Sequence, residues 1–364
     1  MQRTSAVPLA LSWTGVIVYA SLYPFSDWRD QGIAPWAFLW APLPKYWTGF
    51  DLAINLIAYA LQGLLVALAL WRSGRSRHVM LVALAACATL SLVMETTQSY
   101  LPTRVPSNVD FLMNSVGAGM GVAAAAGLAR LGAVARWSSL RARWFVADAR
   151  GALALLFLWP LALLFPAPVP LGLGQVLERM EGALALAFAH TPFLDWLPVR
   201  DVELQPLVPG AEFLCVLLGA LIPCLIAFCI VRSRLRRALM VSLVLAVGTA
   251  ASGLSAALSY GPQHAWDWLQ VPVVEGLVAV PVLAVALLGL PRRMSAAIAL
   301  LAMGVYLSLL NQAPADPYFT QTLQTWEQGR FIRLNGLAQW LGWLWPYAAV
   351  AYLLSQTWDV DGKN

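Results

Sequence analysis

Long apolar runs alternate along this chain with short polar or proline-rich breaks. Windows near 8–26, 51–71, 79–99, 110–129, 151–170, 210–231, 238–258, 273–290, 295–312 and 338–356 are rich in Leu, Ala, Val and Gly and poor in charge. A helix of about 20 residues crosses roughly 30 Å of hydrocarbon. Each window therefore predicts a membrane-spanning helix, with boundaries good to about four residues. The first window follows Arg3 and begins like a secretory signal, but it continues through Tyr19, Leu22 and Phe25 without a small-residue cleavage site. It is read as an uncleaved first helix. Residues 172–209 carry Pro192, Pro198, Pro206 and Pro209 with Glu178, Glu181, Asp195, Asp201 and Glu203. That stretch is too polar to span and predicts a short interfacial helix followed by an irregular loop. No repeat of fixed period is visible.

Charge sharpens this picture. Of 364 residues, 60% are hydrophobic and only 23 basic and 18 acidic side chains are present, against roughly 25% charge in an average soluble domain. A single water-facing globule is excluded. Counting alternate loops, one side holds Arg3, Arg72, Arg75, Arg77, Arg130, Arg136, Arg141, Arg143, Arg150, Arg232, Arg234, Arg236, Arg237, Arg292, Arg293 and Lys363. The other holds only Arg29, Lys45, Arg104, Arg179, Arg200, Arg330 and Arg333. The basic excess marks the cytoplasmic side, which places both termini inside. Among the acids, only Asp148, Asp359 and Asp361 fall on that side. The net charge of +5 is thus a difference between two oppositely charged faces, and nucleic-acid binding is not expected.

Tryptophan agrees, since its amphipathic ring favours the headgroup layer. Trp36, Trp40 and Trp47 crowd one outer loop, Trp266 and Trp268 another, and Trp340 opens the last window. Trp343 and Trp345 lie deeper and are read as packing. Arg130 to Arg150 carries five arginines, with Trp137, Leu140, Trp144 and Phe145 partly at helical spacing. This is either an amphipathic helix on the anionic inner leaflet or a solvated linker. The expected organisation is a four-helix bundle over 1–130, a basic amphipathic linker over 131–150 and a six-helix domain over 151–364.

Soluble-enzyme motifs are missing. No phosphate-binding Gly-rich loop, HExxH, Gly-x-Ser-x-Gly or Walker lysine occurs in the sequence, so nucleotide-driven transport by this chain alone is not expected. Cys87, Cys215, Cys224 and Cys229 all lie inside apolar runs without CxxC spacing, and His78, His190 and His264 are scattered. They predict packed thiols, with no metal site and no cofactor.

The polar residues inside apolar runs carry the chemistry. Asp51, Asn55 and Tyr59 fall at four-residue spacing on one stripe of the second helix, about 6 Å of rise apart. Glu95 and Gln98 lie one turn apart near the end of the third, followed by Pro102 and Arg104. The fourth begins at Asp110 and continues through Asn114, Gly117 and Gly121 on or near one face. Carboxylates at membrane depth are expensive and mark a paired or functional site, and Gly117-xxx-Gly121 lets another helix approach closely. These helix ends share the outer leaflet and the connections are short, so the polar residues can converge on one pocket. Such a pocket would do acid–base work or bind a cationic or polyol headgroup. The competing reading is an interhelical hydrogen-bond network, with Asp51 and Asp110 capping helix N-termini.

The combined spacing of Asp51-xxx-Asn55-xxx-Tyr59, of Glu95 through Gly121, and of Ser21-Leu-Tyr-Pro-Phe25 resembles the VanZ-like family of small bacterial membrane proteins, over about residues 1–130. That family is named from a glycopeptide-resistance cluster, where its member is associated with reduced teicoplanin susceptibility, and no settled biochemical activity goes with it. The positions that match its polar pattern are Asp51, Asn55, Glu95, Gln98, Arg104, Asp110 and Asn114. Where many members carry a proline-glycine pair, this chain has Ala60-Leu61-Gln62-Gly63, and only the glycine matches.

The reading is an all-α polytopic transmembrane bundle of about ten spans in a bacterial inner membrane. Glu95, with Asp110 and Asp51, is the candidate acid–base or headgroup-binding centre. Arg104 would hold a phosphate or orient Asp110, and Asn55, Tyr59, Gln98 and Asn114 would fix geometry. The expected partner is a membrane lipid or lipid-linked saccharide, with envelope proteins or a second copy as further candidates. Whether the chain is an enzyme stays open. The alternatives are a proton-coupled transporter or flippase, which needs ionisable groups near the bilayer midplane and inverted repeats, and a non-catalytic envelope scaffold.

Overall fold

A computed structural model describes residues 6–23, 25–43, 49–72, 78–165, 167–193, 204–314 and 332–358; the side chains at 50, 51, 72, 134, 135, 138, 179, 332–336 and 358 fall outside the description. Sequence expectations that lie outside it are those for Arg3, Lys45, Trp47, Arg75, Arg77, Asp195, Arg200, Asp201, Glu203, Arg330, Asp359, Asp361 and Lys363, and for the side chains of Asp51, Arg72, Arg179 and Arg333.

The described residues form helices joined by turns and irregular segments, with no strand beyond an isolated bridge between Phe145 and Val231. In order the helices are α1 (Ala6–Leu22), α2 (Gly49–Arg72), α3 (Val79–Gln98), α4 (Asn108–Arg130), α5 (Ala133–Trp144), α6 (Arg150–Ala162), α7 (Leu177–Phe188), α8 (Pro209–Ile230), α9 (Arg234–Tyr260), α10 (Val271–Leu287), α11 (Arg292–Leu310) and α12 (Ile332–Trp358). Apolar composition gives helix here because a helix satisfies its own backbone donors and acceptors without water. A helix occupies every apolar window, and six of them are long and apolar enough to cross a membrane: α2, α3, α4, α8, α9 and α11. α1, α6 and α10 are apolar but shorter. α12 is long, but its many Trp and Tyr residues lower its hydropathy. The helix α7 and the charged α5 are too short to span.

Contacts divide the chain into two compact units, Met1–Leu140 and Arg141–Asn364. In the first, α2 and α4 cross at backbone contact. A Cβ built on Gly117 would overlap the Leu56 carbonyl, one on Gly121 the Ala60 carbonyl, and one on Gly63 the Ala118 carbonyl. Small residues thus let the two backbones touch where side chains would hold them apart. Around the crossing, Ile17, Leu22, Tyr59, Cys87, Met94, Leu101 and Ala118 form one buried cluster, and Ala67, Val79, Ala83, Val122 and Ala125 another.

In the second unit α8 is the central helix. Every side chain from Cys215 to Ile230, apart from the half-buried Leu218, is buried among α6, α9, α10 and α11. α6 departs from the sequence expectation, for the window 151–170 predicts helix to its end while α6 stops at Ala162. Pro168 and Pro170 follow, and each removes a backbone donor and disfavours helix at the residue before it. The chain instead runs as a buried irregular segment through Val169, Leu171, Leu173 and Gln175, with Leu171 and Gly174 at φ 59° and 95°.

Buried irregular backbone needs partners, and polar side chains provide them. The Tyr306 hydroxyl accepts from the Leu173 N–H and donates to the Leu171 carbonyl at 2.7 Å. Asn311 Oδ1 accepts from Val176 and Leu177 at 3.2 Å each, and Gln175 Nε2 donates to the Ala313 carbonyl at 2.6 Å. Tyr306→Phe is expected to cost about 1–3 kcal/mol for each of the two backbone groups it orphans, read as a lower melting temperature of the detergent-solubilised full chain. An unchanged melt would show that the Tyr306 hydroxyl does not hold the segment.

All four cysteines are buried free thiols, and no group of metal-ligating residues occurs among the described residues. Trp36, Trp40, Trp266 and Trp340 are exposed, whereas Trp345 is buried and donates to the Leu155 carbonyl at 2.8 Å.

Candidate functional site

The site lies in the first unit, where the ends of α1 and α3 meet the start of α4. α3 presents Cys87, Ser91 and Glu95 at four-residue spacing, and all three are buried. Four-residue spacing stacks side chains on one helix face, so α3 turns a polar stripe inward. Glu95 Oε2 accepts from the Ser107 N–H at 2.9 Å. Ser107 is itself the N-cap of α4, its hydroxyl accepting from Val109 and Asp110. A carboxylate against a helix N-terminus meets unpaired N–H groups and the positive end of the helix dipole. Asp110, half-buried in the first turn of α4, and Arg104 both lie within electrostatic reach of Glu95.

Arg104 and Gln98 point elsewhere, to the end of α1. Arg104 Nη2 donates to the carbonyls of Ala20 and Tyr23 at 2.7 Å each, and its Nε donates to Tyr23 at 3.1 Å. Gln98 Nε2 donates to the Ser21 carbonyl at 3.1 Å. The last carbonyls of a helix have no partner within it, and these two side chains supply one. The loop after α1 is drawn over the same end, Arg29 N–H donating to Tyr100 and Gln31 Nε2 to Ser99.

One turn deeper, Asn114 of α4 donates to the Ser91 hydroxyl at 2.9 Å. Tyr59 of α2 sits beside Ser91 and within electrostatic reach of Glu95. Both Tyr59 and Asn114 are almost fully buried, yet Asn114 Oδ1 has no hydrogen-bond partner among the described residues, and the Tyr59 hydroxyl has only a loose interaction with the Ser91 side chain. Buried polar atoms are normally satisfied, and an orphan costs about 1–3 kcal/mol.

The structure therefore brings together Glu95, Arg104, Asp110, Asn114, Gln98 and Tyr59. Asn55 lies one turn from Tyr59, half-buried and without a hydrogen bond to any described residue. Asp51 is in the first turn of α2. Gly117 and Gly121 sit in the helix crossing below. Residues 3–130 match the family model described as VanZ/LLP1. Every residue of the site falls inside that VanZ/LLP1 segment, and the second unit lies beyond it. The chain matches no curated protein and no solved structure.

Sequence reasoning passed over Ser91 and Ser107. Ser91 carries the right signal, four residues before Glu95 on the same stripe. Ser107 stands three before Asp110, the spacing of a capping box.

Proposed function

We propose that the VanZ/LLP1 unit binds, and by its paired acids can modify, the polar end of an amphipathic envelope molecule, a lipid headgroup or lipid-linked saccharide, in a bacterial inner membrane. The observation that carries this reading is the orphaned buried Asn114 Oδ1, together with the loosely bonded Tyr59 Oη, which lies within electrostatic reach of Glu95. A headgroup with hydroxyl or ammonium donors would complete them. Glu95 and Asp110 would act as the acid–base or headgroup-binding carboxylates, joined by Asp51 of the first turn of α2 and by Asn55, with Asn114 and Tyr59 as the floor. Arg104 and Gln98 would hold the wall formed by the end of α1. An effect on glycopeptide susceptibility would follow if the bound molecule is a cell-wall precursor. Glu95 lies within one turn of the end of α3, away from the middle of the span, which favours binding over a transmembrane proton relay.

The test is mass spectrometry of molecules that copurify with the full chain in mild detergent. Glu95→Gln keeps an oxygen that can accept from Ser107 but removes the charge, so it is expected to leave the protein inserted and abundant while the copurifying lipid or saccharide is lost. The same molecule retained at the same stoichiometry would overturn the reading.

A further inference from the structure

We propose that α5 is an in-plane helix that binds the surface of a bilayer containing anionic phospholipids, through Trp137 and Leu140 flanked by Arg136, Arg141 and Arg143. α4 is a spanning-length helix of 23 residues that ends at Arg130. Directly after it, Gly132 at φ 66° turns the chain into α5. With 12 residues, against the roughly 20 that crossing requires, α5 cannot span. It therefore begins within two residues of a spanning helix and has to run along the membrane or away from it.

Its side-chain pattern decides between these. At 3.6 residues per turn Trp137, Leu140 and Trp144 fall within about 60° of one another, with Arg141 on one flank and Arg136 and Arg143 on the other. The Trp144 ring is covered by the Arg236 guanidinium, 5.4 Å from its centroid. Trp137 and Leu140 are not covered, and remain 58% and 45% exposed. A tryptophan and a leucine side by side at an interface, with arginine stems on both sides carrying their charges to the headgroups, is the arrangement of a helix lying at the acyl–headgroup boundary.

Charge selects the lipid. The sequence from Arg130 to Ala147 contains four arginines and no acid, and Arg130, Arg136, Arg141 and Arg143 make no ion pair among the described residues. An anionic leaflet would supply the missing counter-charge.

Spin labels on the full chain in vesicles test this, since the four native cysteines are buried. Labels at Trp137→Cys and Leu140→Cys report the apolar stripe, and labels at the exposed Ser139 and Ala142 report the opposite side. In vesicles with one-third phosphatidylglycerol, positions 137 and 140 are expected to be accessible to oxygen and shielded from a water-soluble nickel chelate, with the reverse at 139 and 142. In pure phosphatidylcholine, or with Arg136, Arg141 and Arg143 all changed to Gln, the contrast should fade, because three arginines contribute on the order of a hundredfold in preference for an anionic surface. Equal water access at all four positions would overturn the proposal. So would a contrast independent of lipid charge, or spin–spin coupling showing that a second copy covers the stripe. The vesicle comparison needs only the proteins with one added cysteine, so it stands even where the triple variant fails to insert.

Discussion

Gly121→Ala is expected to disrupt the first unit, whereas Gly119→Ala, two residues away on the same helix, is expected to be neutral or slightly stabilising. A Cβ on Gly121 would overlap the Ala60 carbonyl and come 2.8 Å from the Leu64 nitrogen, both backbone atoms of α2. Backbone atoms in a hydrogen-bonded helix cannot rotate aside, so α2 and α4 would have to separate along their whole contact. Overpacking of this kind costs about 1–3 kcal/mol where flexible side chains absorb it, and rigid backbone places Gly121→Ala at or above the top of that range. A Cβ on Gly119 meets nothing within 4 Å, and alanine is better than glycine within a helix by about 1 kcal/mol. Thermal melting of the two variants in detergent, with size-exclusion profiles, distinguishes them. Equal melting temperatures would mean that α2 and α4 do not pack as closely as described.

That crossing was partly legible in the sequence. Gly117 and Gly121 at four-residue spacing announce a close approach, but nothing in the chain says that α2 is the partner or that Gly63 answers from the other side. The positions of the helices were legible for a simple reason: hydropathy reports burial from water, and a spanning segment has only one regular way to satisfy its backbone. The same reasoning explains where it failed. Residues 163–170 continue the apolar window that starts at 151, so an average over it reads as helix to its end, yet Pro168 and Pro170 break it. The partners that make this tolerable, Tyr306 and Asn311, come from a helix more than 130 residues away, a pairing that no local pattern carries.

At the site, the sequence placed the acids at one end of a bundle but left their division of labour open. Glu95 reads as one of three carboxylates that could share a pocket. The structure distinguishes it from Asp110, because Glu95 is buried and bonded to the α4 N-cap while Asp110 is half-buried beside it. Arg104 reads as a group that would hold a phosphate or orient Asp110; its guanidinium donates to the Ala20 and Tyr23 carbonyls and lies within electrostatic reach of Glu95. That difference bears on which variants should lose ligand directly and which should lose it through loss of fold.

Arg104→Ala is expected to lower the stability of the first unit by about 2–4 kcal/mol, since it removes charge-assisted hydrogen bonds and leaves the Ala20 and Tyr23 carbonyls without them. Arg104→Lys should recover only part of this. A single ammonium can reach one carbonyl, whereas the guanidinium fork reaches both from fixed geometry. Gln98→Ala, which loses one bond to Ser21, should cost about 1 kcal/mol. If Arg104 acts by holding the end of α1, retention of the copurifying molecule by these variants should follow their melting temperatures and recover on cooling. Glu95→Gln should depart from that line, folded but empty. The outcome that would reverse the assignment is an Arg104→Ala protein that melts like the parent yet retains no phosphate-bearing ligand, for the guanidinium would then be serving the headgroup and not the helix.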